Sequence, residues 1–271
     1  MCSFPDASPV VVASHPRSGT HLVIDLLRRH FPDCQIRKAW GQRLDRLYCN
    51  VDELMNNDGA LTEPEAFDIL SRADMPVIKT HSFPSFESGF FEDHRQSLPH
   101  RWTEWLDAHA SVVYVHRHPC DVMASYHQFR ASYEAASRTA LSDFIRAEHD
   151  GASRIERWAN HIRAWTRRPD VLAIRFSDIL SSPASIVERI STHLGISPVL
   201  QSPLLPRPFE SVWESRLARL FQTFPESTAI INGKNCNDLG TQLTAKDRAY
   251  ILDTCGNLLQ QLGYKNPDSD I

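Results

Sequence analysis

The chain has 271 residues, 42% hydrophobic and 23% charged, with a formal net charge of −4 at neutral pH. That is an ordinary globular balance, long enough for one large domain or two small ones with a real core. A mildly acidic chain has no global attraction for nucleic acid or anionic membranes, so any anion site must be local.

The six cysteines are scattered and form no C-x-x-C pair. This argues against a zinc site or redox dithiol and for reduced thiols in a cytosolic protein. The amino end lacks a basic segment followed by an apolar stretch, and no apolar run reaches the ~20 residues of a membrane span. A soluble, cytoplasmic protein with no membrane span is expected.

In chain order, Val10-Val11-Val12-Ala13 reads as a short buried strand. Ser14-His15-Pro16-Arg17-Ser18-Gly19-Thr20 then forms a tight loop, and Leu22, Leu26 and Leu27 mark one face of the helix it opens. Strand, loop and helix N-terminus in succession make an anion site, because the first helical turn has unpaired N–H groups and a positive dipole end. The frame resembles the phosphate loop G-x-x-x-x-G-K-[ST]. Here Ser14 replaces the first Gly, Gly19 keeps its place, Thr20 replaces the Lys, and the cation moves into the loop as Arg17. The missing Lys-[ST] pair argues against an ordinary Mg-nucleoside triphosphate site.

Further β-type runs are expected at Pro76–Lys79, Ser111–Val115 and Val171–Phe176. Helices are expected after Thr20, Pro119, Ser153 and Pro183, and from Thr244 to Leu262. Apolar runs alternating with helices predict a three-layer α/β fold, a central parallel sheet of four or five strands flanked by helices in a single domain over 1–271. In such sheets ligands sit beyond the carboxyl ends of the strands.

The chemically unusual residues cluster at those ends. Lys79-Thr80-His81 follows the second run, with Lys79 and His81 two apart on one side. His116-Arg117-His118-Pro119 follows the third, and Arg117 and Ser125 are spaced to share one anionic group. Plainer readings stand beside these. His81 could be satisfied by backbone, Arg117 could pair with Asp121, and Ser125 could be an inert helical serine. Trp158, Ile162 and Trp165 fall at helical spacing and read as core. The aromatic-rich segment 82–105 reads either as a packed loop or as an acceptor-pocket wall or lid. The histidines His15, His21, His116, His118 and His127 lack metal-ligand spacing with carboxylate support.

The stretches Pro16-Arg17-Ser18-Gly19-Thr20 and Tyr114-Val115-His116-Arg117-His118-Pro119-Cys120-Asp121-Val122-Met123-Ala124-Ser125 resemble the two signatures of the sulfotransferases that use 3′-phosphoadenosine 5′-phosphosulfate (PAPS). Lys79-Thr80-His81 matches the K-T-H of their cytosolic branch. The likeness continues through Trp158 to Trp165 and Arg175 to Ile179, and on to Leu262-Gly263-Tyr264.

The resemblance implies that Arg17, Ser18, Gly19 and Thr20, with His21 beside them, hold the 5′-phosphosulfate, while Arg117 and Ser125 hold the 3′-phosphate. It implies His81 as general base, with Lys79 and Arg17 stabilising charge on the transferring group and no metal required. The reaction implied is PAPS-dependent sulfuryl transfer to a hydroxyl, or an amine, of a small organic acceptor.

The chain departs from the family pattern in three places. Leu22 stands where cytosolic members often carry an adenine-stacking Trp, Phe176 replaces a Tyr near the adenine, and Trp213 is the candidate for the other aromatic. The family's R-K-G clamp survives only loosely in Asn232-Gly233-Lys234-Asn235, with Lys234 as its cation. The rivals are a P-loop-type kinase and a non-catalytic nucleotide-binding relative. The sequence leaves open the acceptor and the oligomeric state, a homodimer included.

Overall fold

The computed structural model describes residue 4 and residues 8–36, 46–55, 61–84, 100–205 and 242–264. Trp213, Lys234 and residues 85–99 of the aromatic segment lie outside the described residues. In chain order the strands of the main sheet are β1 (Val10–Ala13), β2 (Cys49–Asn50), β3 (Val77–Thr80) and β4 (Ser111–His116). A short antiparallel pair, β5 (Glu148–His149) and β6 (Ala152–Ser153), follows, and β7 (Val171–Arg175) returns to the main sheet. The helices are α1 (Thr20–His30), α2 (Val51–Met55), α3 (Glu63–Leu70), α4 (His100–His109), α5 (Pro119–Tyr133), α6 (Leu141–Arg146), α7 (Arg154–Thr166), α8 (Phe176–Ser181), α9 (Pro183–Leu194) and α10 (Ala245–Gln261).

The main sheet has five strands, all parallel, in the order β2-β3-β1-β4-β7. The expected parallel α/β architecture is therefore found, with β2 as the short fifth strand. Successive side chains of β1 go to opposite faces, as the pleat requires. Val10 and Val12 join Leu26, Leu27, Val187 and Ile190 under α1 and α9. Val11 and Ala13 join Val122, Trp158, Trp165 and Leu258 under α5, α7 and α10. Helices cover both faces, which is why the strands read as continuous apolar runs rather than alternating ones.

Several helix ends follow from local chemistry. Ser153 and Glu156 form a capping box at α7, as Thr244 and Asp247 do at α10. Pro119 occupies the first turn of α5, where a missing N–H costs nothing. Trp158, Ile162 and Trp165 are fully buried, as their spacing indicated. The far end of the aromatic segment belongs to the core as well. Trp102 and Trp105 lie on α4 and pack around Phe4, which stacks on Trp105 at 4.6 Å between ring centroids.

The strands run parallel, so their carboxyl ends meet at one edge, with Ala13 opposite both Thr80 and Tyr114 and His116 opposite Arg175. Strand β1 is central, and its neighbours β3 and β4 lie on opposite sides, a switch point where a crevice opens. Among the described residues no helix is long and apolar enough to cross a membrane.

Candidate active site

The loop after β1 is shaped by two left-handed residues. Arg17 has φ 70° and Gly19 φ 109°. A non-glycine residue in that region costs free energy and persists only where the surroundings enforce it. Gly19 also has a steric requirement, since a Cβ there would collide with the Phe176 ring, 2.9 Å from its Cε2. The loop is closed by a Ser14 Oγ–Thr20 Oγ1 hydrogen bond of 2.5 Å and by the Ser18 amide donating to the His15 carbonyl at 3.2 Å. The Ser18 hydroxyl is buried and has no partner among the described residues. Such an orphan, beside a helix N-terminus and a Cβ-free Gly19, fits a group with acceptor oxygens.

Arg17 reaches across the crevice. Its Nε donates to Ser125 Oγ at 3.1 Å, and its guanidinium lies 5.0 Å from the Phe129 ring centre. The cation of the first signature and the hydroxyl of the second are thereby joined. Arg117 is buried, with its Nε 3.6 Å from Asp121 Oδ2, the pairing that had been an alternative to anion binding. Its guanidinium lies 4.7 Å from the Phe176 ring centre. Phe176 opens α8 instead of closing β7, and it fills the space between Gly19 and Arg117.

At the end of β3, Lys79 is buried. Desolvation lowers its pKa, opposed by the nearby carboxylates of Asp52 and Glu53. His21, in the first turn of α1, is pushed down to about 4 by burial and then by the charges of Lys79 and Arg17. His81 lies well below the ordinary imidazole range, chiefly through burial and next through Lys79. The loop, α1 and β3 thus bring Arg17 and Lys79 close to His21, and His21 and His81 are neutral at physiological pH.

The tautomer of His81 follows from its partner. Its Nδ1 lies 2.8 Å from the Ser14 carbonyl oxygen, which can only accept, so Nδ1 carries the proton. The lone pair is then on Nε2. The same logic fixes His161, which is buried. Its Nε2–H donates to the carbonyls of His81 (3.0 Å) and Ser82 (3.1 Å), so its Nδ1 accepts the Tyr114 hydroxyl at 2.8 Å. Burial holds His161 at about 4.

Arg17, Ser18, Gly19, Thr20, His21, Lys79, His81, Arg117, Ser125 and Phe176 all sit around this one edge of the sheet. Trp213 and Lys234 lie outside the described residues. The sequence reading gave no role to Asp52, His161, Tyr114 or Tyr264. The Tyr264 hydroxyl bonds His116 Nδ1 at 2.8 Å, and the Arg175 guanidinium donates to the Gly263 carbonyl at 2.6 Å, so the end of α10 is fastened beside Arg117. Tyr114, His161 and Tyr264 fell inside the matched stretches without a role of their own, and Asp52 fell outside them.

The chain is 25% identical over 199 residues to sulfotransferase 4A1 of Mus musculus, with the same figures for the Rattus norvegicus and Homo sapiens proteins. The match covers 70% of this chain and spans 61% of the length of those relatives. In fold it resembles the mouse sulfotransferase SULT7A1, solved as a complex with PAP, with a TM-score of 0.55 at 17% identity over 94% of this chain and 86% of that one. The sulfotransferase domain family model matches residues 7–215, well over half of the chain. The chain belongs to the sulfotransferase family.

Proposed function

We propose that this protein transfers a sulfuryl group from PAPS to a hydroxyl, or an amine, of a small organic acceptor. The observation that carries the reading is the pairing of His81 with Ser14. It ties a neutral imidazole with an open Nε2 to the first residue of the anion loop. That pairing supports a reading in which donor and acceptor chemistry lie side by side.

PAPS would supply the activated sulfuryl group on a phosphate leaving group. Ser18, Gly19, Thr20 and His21 would line its 5′ end, and the buried, unpartnered Ser18 hydroxyl supports that placement. Arg117 and Ser125 would hold the 3′-phosphate, Arg117 exchanging part of its contact with Asp121 for the phosphate oxygens. Phe176, Trp213 and Lys234 complete the proposed donor set.

His81 Nε2 would take the acceptor's proton as the acceptor oxygen or nitrogen bonds to sulfur and the S–O bond to the leaving phosphate breaks. Lys79 and Arg17 would stabilise the charge that accumulates on that phosphate. The solved SULT7A1 complex with PAP is consistent with a donor of this class. Helix α10 packs on α7 and shares its apolar core, which supports reading 1–271 as one domain.

Two measurements test the proposal. Adenosine 3′,5′-bisphosphate should raise the melting temperature and ATP-Mg should not; the reverse order points to a kinase and rejects the reading. Labelled PAPS, screened against alcohols, phenols, sugars and amines, should give a labelled product. Bisphosphate binding with no transfer to any of them would leave a nucleotide-binding relative instead.

A further inference from the structure

The turn Thr80-His81-Ser82 leaves the sheet at the end of β3, and among the described residues no neighbouring strand holds His81 and Ser82. Their backbone groups are satisfied almost entirely by side chains from elsewhere. The His81 amide donates to Asp52 Oδ2 at 2.8 Å. Asp52 Oδ1 accepts two hydroxyls, Thr80 Oγ1 at 2.8 Å and Ser82 Oγ at 3.0 Å. The Ser82 amide donates to Thr80 Oγ1 at 3.0 Å. On the other side, the His161 Nε2–H serves both carbonyls, and Trp165 Nε1 donates to the Ser82 carbonyl at 3.0 Å.

One carboxylate therefore receives three hydrogen bonds from three consecutive residues, and the middle residue is His81. Both Asp52 oxygens are engaged, Oδ2 by the amide of His81 itself. A carboxylate accepting charge-assisted bonds in a partly buried place holds its donors more rigidly than a neutral acceptor would. The imidazole reaches the Ser14 carbonyl only if the His81 backbone is in this position, so the grip on the amide sets the ring and its tautomer.

We infer that Asp52 is a positioning residue for His81: its carboxylate fixes the 80–82 turn so that Nδ1–H is spent on Ser14 and Nε2 is presented as the lone-pair nitrogen. The value of this for turnover rests on the reading of His81 as general base. The tautomer lock itself does not. Displacement of a catalytic group by about 1 Å can cost on the order of a hundredfold in rate.

The test uses full-length protein labelled with ¹⁵N-histidine, in Asp52→Asn, Asp52→Ala and His81→Ala variants, with the His81 signals assigned by their loss in His81→Ala. The wild-type protein should show His81 as a single Nδ1–H tautomer. In both Asp52 variants the two ring nitrogens should move toward tautomer-averaged shifts, while affinity for adenosine 3′,5′-bisphosphate stays within about twofold. Asn retains one oxygen for the hydroxyls and places an NH₂ where the amide needs an acceptor, so it perturbs the clamp with little change in volume. A His81 tautomer as well locked in folded Asp52→Asn protein as in wild type overturns the inference.

Turnover provides the second arm, read with labelled PAPS and the screened acceptor that gives most product. Asp52→Ala should lower kcat by about 10–100-fold at an unchanged donor KM, and should add no loss in the His81→Ala background. A full additional loss in that background means Asp52 acts by another route and also overturns the inference. If His81→Ala keeps wild-type turnover, the base assignment fails instead, and the spectra still decide the clamp.

Discussion

The Tyr114 hydroxyl donates to His161 Nδ1 at 2.8 Å, joining the inner strand β4 to helix α7 beneath the candidate site. Both side chains are buried, and a backbone hydrogen bond from His15 reaches the same hydroxyl. One phenol thus links the anion loop to the imidazole that holds the His81 and Ser82 carbonyls. Replacing Tyr114 with Phe keeps the ring packing and leaves His161 Nδ1 buried without a donor. The expected loss is about 1–3 kcal/mol, the cost of an unsatisfied buried acceptor. Urea unfolding should show it as a lower midpoint at an unchanged slope. An unchanged midpoint would mean water replaces the phenol at no cost.

The same burial makes stability depend on pH. His21, His116 and His161 are each held at about 4, and His15 and His81 also lie well below 6.5, with desolvation the largest cause in every case. Between about pH 4 and 6.5 the unfolded chain binds more protons than the folded one at these positions, so stability rises with pH across that window. The stabilisation should be complete above pH 6.5 and fall progressively on acidification toward pH 4. Melting temperatures measured from pH 4 to 8 should show this slope. It should flatten in His161→Gln, which removes one of the groups while keeping a donor for the two carbonyls. A curve that is flat below pH 6.5 in the wild-type protein would contradict the burial of these rings.

Gly19 answers to two constraints at once, a left-handed φ and the ring of Phe176. Ala at this position should destabilise the protein by about 1–3 kcal/mol through backbone strain and collision together. Adding Phe176→Ala removes the collision and leaves the strain, so the double variant should show less extra loss from Gly19→Ala than wild type does. Additive losses in thermal or urea unfolding would show that the ring yields freely and that only the φ matters.

The architecture was legible because its signals are local. Val10–Ala13 and Ser111–Val115 are continuous apolar runs, Pro119 and Thr244 mark helix starts, and each effect acts within a few residues of its cause. Charge-bearing residues at strand ends were legible for the same reason, since a parallel sheet brings all its carboxyl ends to one edge. The supporting contacts were not. Asp52 meets His81 across 29 residues and His161 meets it across 80, and nothing near Asp52 distinguishes it from Glu53 beside it on α2. Arg17 gave a mixed result. Its charge was evident in the loop, but its hydrogen bond to Ser125 spans 108 residues and depends on how α5 leaves the sheet. Phe176 was expected to end a strand and instead begins a helix, because tertiary packing against Gly19 and Arg117 outweighs its β propensity.

The last prediction separates the two halves of the proposed site. His81 and Arg117 stand just beyond the ends of β3 and β4, on either side of β1, and the proposal gives them different duties. Loss of a general base slows the chemical step, by about 10²–10⁴-fold for a well-placed group, without weakening the donor. His81→Ala should therefore lower kcat to that extent while affinity for adenosine 3′,5′-bisphosphate stays near wild type. Arg117→Ala should instead raise the donor KM and weaken the bisphosphate by about 10–100-fold, the scale of a lost charge-assisted hydrogen bond. Calorimetry with the bisphosphate and steady-state turnover with labelled PAPS read the two effects separately. If Arg117→Ala leaves donor affinity intact, its contact with Asp121 is structural and the 3′-phosphate must be held elsewhere. If both variants lose donor affinity equally, His81 belongs to the donor pocket and the base must be sought among other residues of this edge.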